Sequence, residues 1–363
     1  MHLNLLINAA RIGNWGGLRR FAEALIGCFE NSRNVTVVVP EGVRLEVRIP
    51  QETTPKWLAS SGRVSSLRPI LWWIYGATLF PARAGTKIVC TTHHALPFRK
   101  HQVVTVHDIR PYYYPDSWVQ HFNFRFLLPR ALRSCDGILT VSEATKGLLG
   151  SVYGLDAARV HVVPNTVDSQ FFIPGQDRVQ HVSPYLLCVG SSWKHKNTSE
   201  LLKMHRFWAG KYCVKIVAGA GQYLQFLKEL CPTLGIKDQV EFLTDVQPAE
   251  IRFLYQNASA LVYPSLMEGF GLPPLEAMSC GRPVIVSDIT LFRELYGEAP
   301  IFVQLGDATS WERAFVELDS IADARLHEGM LHARKFTQER MKACLFSALK
   351  SIWGADVMPG TEQ

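Results

Sequence analysis

The sequence predicts an α/β protein built of two doubly wound, parallel-sheet domains that face each other across a cleft. Three observations carry this reading. Short apolar runs alternate with amphipathic stretches along most of the 363 residues, which is the pattern of successive βα units. The runs end repeatedly in glycine, serine or titratable residues, and open α/β sheets place their ligands at strand carboxyl ends. The series also occurs twice. Between the two, residues 172–184 lose apolar density and gather prolines and a glycine, as a linker does.

Composition narrows the class. The chain is 47% hydrophobic and 19% charged, ordinary for a globular protein with ample core material. Eight cysteines are scattered without a C-x-x-C pair or zinc-ligand spacing, so a reducing cytoplasmic compartment is expected. Residues 1–10 are apolar but lack a basic leader, so no signal peptide is expected. No run reaches the roughly 18 apolar residues of a spanning helix. The net charge of +6 is uneven: residues 1–168 hold 19 Lys+Arg and 11 Asp+Glu (+8), residues 169–363 hold 19 and 21 (−2). An anionic surface is therefore expected to meet the first half, with plain solubility as the alternative. No nucleic-acid partner is expected.

In the first series, residues 3–9 form an uncharged apolar run suited to a buried parallel strand. A glycine loop that includes Gly16 and Gly17 follows. Glycine lets the backbone approach a sugar or phosphate closely, and an amphipathic helix is expected over 18–29. Strands are expected at 35–39 and 43–49. Residues 69–81 enclose an aromatic stretch with Trp72 and Trp73, flanked by Arg63, Arg68 and Arg83. One reading buries both tryptophans in the domain; the other lays this element on a membrane surface. Strands at 87–92 and 103–107 end in Thr91-Thr92-His93-His94 and His107-Asp108, where ligand contacts are expected. A helix over 120–134, a strand at 137–142, a helix started by Ser142 and a strand at 160–164 complete the series.

The second series opens with a strand at 185–189, then Gly190-Ser191-Ser192, Lys194 and Lys196. Lysine beside a glycine–serine turn at a helix start suits a phosphate. A strand at 212–218 ends at Gly219. Strands at 240–243 and 260–263 flank a helix over 248–256. Then come Glu268, Gly269-Phe270-Gly271, Leu272, two prolines and Glu276. Proline is favoured in a helix's first turn, so the stretch reads as strand, glycine turn and helix over 272–279. That arrangement aims backbone N–H groups and a positive helix end at one spot. Two solvated acids are the bland alternative. A strand at 283–287, another at 301–304 and helices over 311–320, 322–335 and 338–353 finish the chain.

These residues together resemble the retaining glycosyltransferases of family 4. Glu268-Gly-Phe-Gly-Leu-Pro-Pro-Leu-Glu276 matches the E-x7-E signature, and Gly281-x-Pro-Val-Ile-x-Ser-Asp288 follows it. Gly16-Gly17, His107-Asp108, Thr140-Val141-Ser142, Pro164-Asn165-x-x-Asp168 and the 190–197 segment match in order. The resemblance implies a GT-B fold, with an acceptor-side domain over 1–172, a nucleotide-sugar domain over 173–338, and a C-terminal helix (339–363) returning to the first domain. It implies sugar transfer from a nucleotide-sugar with retained configuration and without a metal or other cofactor. Carried over, Glu276 would bind the ribose, Glu268 the donor sugar, and Lys196 with the amides near Gly271 and Leu272 the diphosphate. Gly190, Ser191, Lys194, Gly219, Gly269 and Phe270 would line the donor, His107 would contact its sugar, and Gly16 and Gly17 would allow close approach. The sequence departs from the family where Ser191-Ser192 replaces an arginine, leaving the second phosphate cation to Lys194 or His195.

The donor best matching this similarity is GDP-mannose, used by a mannosyltransferase of cell-surface polysaccharide or lipopolysaccharide synthesis. A UDP-sugar donor (glucose or N-acetylglucosamine) is the alternative, and a non-catalytic protein of the same fold is a third. The acceptor is expected to be a saccharide, lipid-linked at the cytoplasmic face of the inner membrane if the basic first half touches that surface.

Overall fold

The structure, a computed structural model, describes residues 5–11, 16–32, 34–59, 68–82, 85–175 and 183–354. The chain forms two compact units. Residues up to Thr166 together with those from Gln338 make one; Val167–Thr337 make the other. The backbone N–H of Val167 donates to the carbonyl of Phe336 at 2.9 Å, so the chain enters and leaves the second unit at neighbouring points.

The first unit runs β1 (Leu5–Asn8), α1 (Gly17–Gly27), β2 (Val35–Val39), β3 (Gln51–Thr53), α2 (Lys56–Ala59), α3 (Arg68–Thr78), β4 (Lys87–Cys90), β5 (Gln102–Val106) and α4 (Arg110–Tyr113). It continues through α5 (Trp118–Phe122), a π-helical turn at Asn123–Leu127, α6 (Leu128–Ser134), β6 (Gly137–Thr140), α7 (Glu143–Tyr153) and β7 (Val160–Val162). Its seven strands are all parallel in the order β3-β2-β1-β4-β5-β6-β7. Strands β1, β5 and β6 are buried at every position, as a parallel sheet covered on both faces requires. The Ser142 hydroxyl accepts the Thr145 N–H at the start of α7, the cap its sequence position predicts.

The strand expected at 43–49 does not form. Val43, Leu45 and Ile49 are buried, Val47 is half-buried, and Arg44, Glu46 and Arg48 are exposed, so the alternation is real. The ladder begins later, at β3, because the Gln51 side chain occupies both backbone groups of Leu45, accepting its N–H at 3.1 Å and donating to its carbonyl at 2.9 Å. In α3, Trp72 is buried and packs edge-on to Phe80 and at a tilt to Tyr75. Arg63 and Arg83 lie outside the described residues, as do the side chains of Arg68 and Trp73.

The second unit runs β8 (Tyr185–Val189), α8 (Thr198–Lys203), β9 (Cys213–Val217), α9 (Gln222–Thr233), β10 (Val240–Leu243), α10 (Pro248–Asn257) and β11 (Ala260–Tyr263). It continues through α11 (Leu272–Ser279), β12 (Val284–Ser287), α12 (Thr290–Tyr296), β13 (Ile301–Val303), α13 (Ala308–Asp319) and α14 (Asp323–Ala333). Its six parallel strands stand in the order β10-β9-β8-β11-β12-β13. Trp208, Val214, Ile216, Tyr223, Leu227 and Trp311 belong to its core. The last helix, α15 (Gln338–Trp353), belongs to the first unit. Phe346 on it meets Phe29 edge-on, and Trp353 donates its indole N–H to Asp136.

The strand order reverses once in each sheet, between β1 and β4 in the first unit and between β8 and β11 in the second. Doubly wound sheets bind ligands in the crevice that opens at such a reversal. No helix among the described residues is long and apolar enough to cross a membrane.

Candidate active site

In the second unit the reversal brings together two loops far apart in sequence. The loop after β8 begins at Gly190, whose φ of 76° lies in the left-handed region. The Gly190 and Ser191 N–H groups both donate to the Val217 carbonyl, at 3.0 and 3.2 Å, so the chain turns back at once. The Ser191 hydroxyl accepts from Thr198 at 2.7 Å, and the Ser192 hydroxyl accepts the Gly219 N–H at 2.8 Å. These bonds anchor the turn to α8 and to the end of β9. A Cβ on Gly190 would stand 3.8 Å from the Lys196 Cε, so the lysine stem passes over the glycine.

Lys196 reaches the loop after β11. Its ammonium donates to the Glu268 carboxylate at 2.6 Å and to the Tyr263 hydroxyl at 2.5 Å, and sits 4.8 Å from the centre of the Tyr263 ring. Glu268 is only 11% exposed. Burial alone would raise its carboxyl, but the ammonium of Lys196 and the charge of His195 outweigh that and hold it below the usual carboxylate range. Burial and the Glu268 charge push the Tyr263 phenol well above its ordinary value, so it stays a neutral hydroxyl. An unpaired charge at this depth would be costly; the pair and its hydroxyl satisfy each other.

Glu276 lies inside α11, 3% exposed, and accepts from the Tyr255 hydroxyl at 2.7 Å. Neither acid of the E-x7-E stretch is therefore a solvated surface group. Between them Gly269, Phe270, Gly271 and Leu272 are buried. Gly271 has φ 88°, and a Cβ there would meet the Tyr296 hydroxyl oxygen at 2.4 Å. That hydroxyl donates to the Gly271 carbonyl at 2.5 Å and stands 3.2 Å from the Phe270 carbonyl. Tyr296 thus fixes the turn that starts α11. Pro273 and Pro274 follow Leu272 and carry no N–H, so the free donors at this helix end narrow to the amides beside them. Among the described residues, no group of three or more His, Cys, Asp or Glu is placed to hold a metal ion.

The structure thus joins Gly190, Ser191, Lys196, Gly219 and Glu268 through direct contacts and places Gly269 to Leu272 and Glu276 on the same strand-end segment. Lys194 is exposed and makes no ion pair among the described residues. Tyr263, Tyr255 and Tyr296 were not assigned roles from the sequence. Their signal was weak: a hydroxyl closing an apolar strand is legible, but its partner 67 residues away is not.

The remaining residues lie in the first unit, again at strand carboxyl ends. Gly16, with φ 111°, caps α1, and Gly17 begins it. His107 follows β5; its Nε2 lies 2.8 Å from the Thr91 carbonyl, and its ring meets Phe21 of α1 edge-on at 4.6 Å. Burial pulls its imidazole down to about 4, against the hydrogen bond to Thr91. His93 and His94, after β4, stack at 4.2 Å. Burial, with His107 and Arg11 nearby, brings His93 down to about 3; burial, with His93 and Arg11, holds His94 well below its ordinary value. All three imidazoles are neutral at pH 7.

Comparison with known proteins agrees with this architecture. Residues 64–171 match the family model described as Glycosyltransferase Family 4, and residues 170–320 match that of Glycosyl transferases group 1. The chain is 35% identical over 329 residues to the O-antigen chain mannosyltransferase RfbU of Salmonella typhimurium, covering 88% of this chain and 92% of that one. It is 27% identical over 277 residues to O-antigen chain mannosyltransferase B of Escherichia coli, covering 71% and 72%. Among solved structures, sucrose-phosphate synthase from Thermosynechococcus elongatus superposes with a TM-score of 0.79 at 16% identity, over 97% of this chain and 99% of that one. HepE of Anabaena, solved with UDP and glucose, gives 0.72 at 17% identity, over 96% and 100%. At such identities the structural likeness shows the fold alone, two Rossmann-like parallel-sheet units of the GT-B class. The sequence relationship shows the rest: the chain belongs to the glycosyltransferases of family 4.

Proposed function

We propose that the protein is a retaining, metal-independent mannosyltransferase of O-antigen or related lipopolysaccharide synthesis, using GDP-mannose and a saccharide acceptor carried on a lipid. The observation that carries the reading of a diphosphate-linked sugar donor is the Lys196–Glu268 pair, 2.6 Å apart beside the α11 turn. Cleaving a glycosyl–phosphate bond builds positive charge on the sugar and negative charge on the departing diphosphate. An ammonium has three N–H donors. Two are used by Glu268 and Tyr263, and the third is left for a phosphate oxygen. With the amides around Gly271 and Leu272 it offers fixed positive charge where the diphosphate becomes more negative. Glu268 keeps acceptor capacity for sugar hydroxyls, and Glu276, held by Tyr255, serves the ribose. This positive charge comes from the chain itself, which is the basis for proposing that no metal is needed. His107 enters the reaction as a neutral imidazole.

Mannose rests on the 35% identity to a protein named as a mannosyltransferase. A UDP-sugar is the second reading, favoured by the resemblance to a structure solved with UDP and glucose. Thermal unfolding with GDP, UDP, GDP-mannose and UDP-glucose in turn separates them. A ligand at a hundredfold excess over its dissociation constant stabilises the folded state by about 2.7 kcal/mol. GDP and GDP-mannose are expected to raise the melting temperature and the uridine compounds not to; the reverse pattern assigns a UDP-sugar, and no shift with any of them supports a non-catalytic role. Retention is read from the anomeric coupling of the product, and metal independence from undiminished transfer in a chelator.

A further inference from the structure

One column of aromatic side chains holds both the cation and the amide turn of the candidate donor site. Tyr263 closes β11, and Phe292 and Tyr296 stand one turn apart on α12, hence on one face of that helix. All three are buried. The Tyr263 ring tilts against Phe292 at 5.9 Å, and Phe292 stacks on Tyr296 at 5.2 Å. The hydroxyl at one end of the column meets the Lys196 ammonium at 2.5 Å; the hydroxyl at the other end donates to the Gly271 carbonyl at 2.5 Å. Phe292 also approaches the turn itself, since a Cβ on Gly271 would stand 3.1 Å from its ring. Rings packed at interior density keep their spacing, so the ammonium and the start of α11 are held at a fixed separation.

The three N–H groups of an ammonium point to the corners of a tetrahedron. One fixed bond leaves the other two free to sweep a cone; two fixed bonds leave the third a single direction. A lysine paired with Glu268 alone would be a point charge on a flexible stem, able to turn its donors toward the carboxylate. Tyr263 removes that freedom. Its oxygen accepts one N–H of Lys196 at 2.5 Å, while Glu268 accepts another at 2.6 Å. Its own O–H is hydrogen-bonded to the Glu268 carboxylate, which closes a triangle of contacts and keeps the acid from taking a second N–H. A phenylalanine at 263 would keep the ring, its packing and the charge of the lysine. It would lose only the direction of the third N–H.

We propose that Tyr263 is a positioning residue of the donor site: its hydroxyl aims the third N–H of Lys196 at the diphosphate, and the column behind it keeps that donor in register with the amides of the α11 turn. The inference rests on the reading of Lys196 as the diphosphate cation. Its consequence is discrimination between two states of the outer phosphate. In the nucleotide-sugar that phosphate is esterified; in the released nucleoside diphosphate it carries the charge that cleavage of the glycosyl bond leaves on it. A donor directed at that oxygen favours the second state over the first, which lowers the barrier without reorganisation at the moment of reaction. An undirected ammonium attracts both through its charge alone.

Isothermal titration of the full chain with GDP and GDP-mannose, and with UDP and UDP-glucose, measures both states without an acceptor. For the pair that binds, Tyr263→Phe is expected to weaken the nucleoside diphosphate by about tenfold and the nucleotide-sugar by no more than about threefold. In a Lys196→Ala background it should change neither, because a residue that acts through another has no effect once that one is gone. Tyr296→Phe, which acts on the turn, should weaken binding by the same factor in both backgrounds. Wild-type affinities in Tyr263→Phe overturn the proposal. So does equal weakening of both ligands, or a loss that persists without Lys196, since either makes the hydroxyl a purely structural group. If the Tyr296→Phe effect also vanished with Lys196, the two ends of the column would not act separately and the assignment to Tyr263 would fail. Failure of the donor reading is distinct: neither pair would bind the wild-type protein, or Lys196→Ala would leave the diphosphate affinity intact, and the inference would fall with it.

Discussion

At the scale of the residue, Lys196 and Glu268 are interdependent, and their removal tests catalysis and stability together. Lys196→Ala and Glu268→Ala should each cut sugar transfer well beyond tenfold, in line with about 2.7–4 kcal/mol for a lost charge-stabilising donor. Near-normal turnover in either variant would remove that residue from the mechanism. Breaking a buried pair from one side also destabilises by about 3–5 kcal/mol, so the variants should be compared with Glu268→Gln, which keeps the hydrogen bond without the charge. The histidines of the first unit act on stability in a defined pH window. Their folded values lie below the ordinary 6.5, at about 4 for His107 and about 3 for His93. The unfolded chain therefore binds protons first as pH falls, and stability drops from about pH 6.5 toward pH 4. For His107 alone the loss is on the order of 3 kcal/mol. Glu268 adds to this lower down: its carboxyl is depressed, so its contribution is present above about pH 4.3 and fades as acid protonates it. Chemical denaturation between pH 7 and pH 4 should show the slope, and His107→Gln should flatten it; an unchanged slope would place the acid sensitivity elsewhere.

At the scale of the element, the turn between β11 and α11 shows why a glycine stands at 271. The left-handed φ costs a side chain about 1–2 kcal/mol, and the Tyr296 hydroxyl occupies the space a Cβ would take. Gly271→Ala should therefore destabilise the protein by about 1–3 kcal/mol and weaken nucleotide-sugar binding. Gly271→Ala/Tyr296→Phe should recover only part of the stability, because it removes the clash but not the strain. Full recovery would mean that the backbone conformation is not the constraint. The glycine turn and the helix over 272–279 were legible in the sequence from glycine, proline and the apolar strand before them. The Tyr296 hydroxyl was not, since a bond across 25 residues has no local signature. The strand expected at 43–49 shows the opposite limit: its alternation survives as burial, but a glutamine side chain took the hydrogen bonds that would have made it a strand.

At the scale of the whole molecule, the chain leaves its first unit at Thr166 and returns to it at Gln338. Helix α15 is then part of the first unit's fold. The Gln338 amide donates to the Ala24 carbonyl at 2.5 Å, and the Lys87 ammonium lies 5.2 Å from the centre of the Trp353 ring. A Cβ on Gly137 would meet Ile352 at 2.4 Å, so β6 has a glycine where this helix approaches. Truncation after Thr337 should lower the melting temperature of the first unit or leave it insoluble, while nucleotide binding by the second unit, followed by isothermal titration, persists. A truncated chain that melts like the full one would show that α15 is dispensable.

Most of the βα order, the two glycine turns and the family were legible in the sequence, because strand periodicity, turn chemistry and helix starts are written within a few residues of one another. Tertiary structure alone decided which side chains meet. The ion pair of Lys196 with Glu268 and the tyrosines that hold the loop depend on burial and on partners distant in the chain. Those are set by strand order and packing, and no local pattern encodes them.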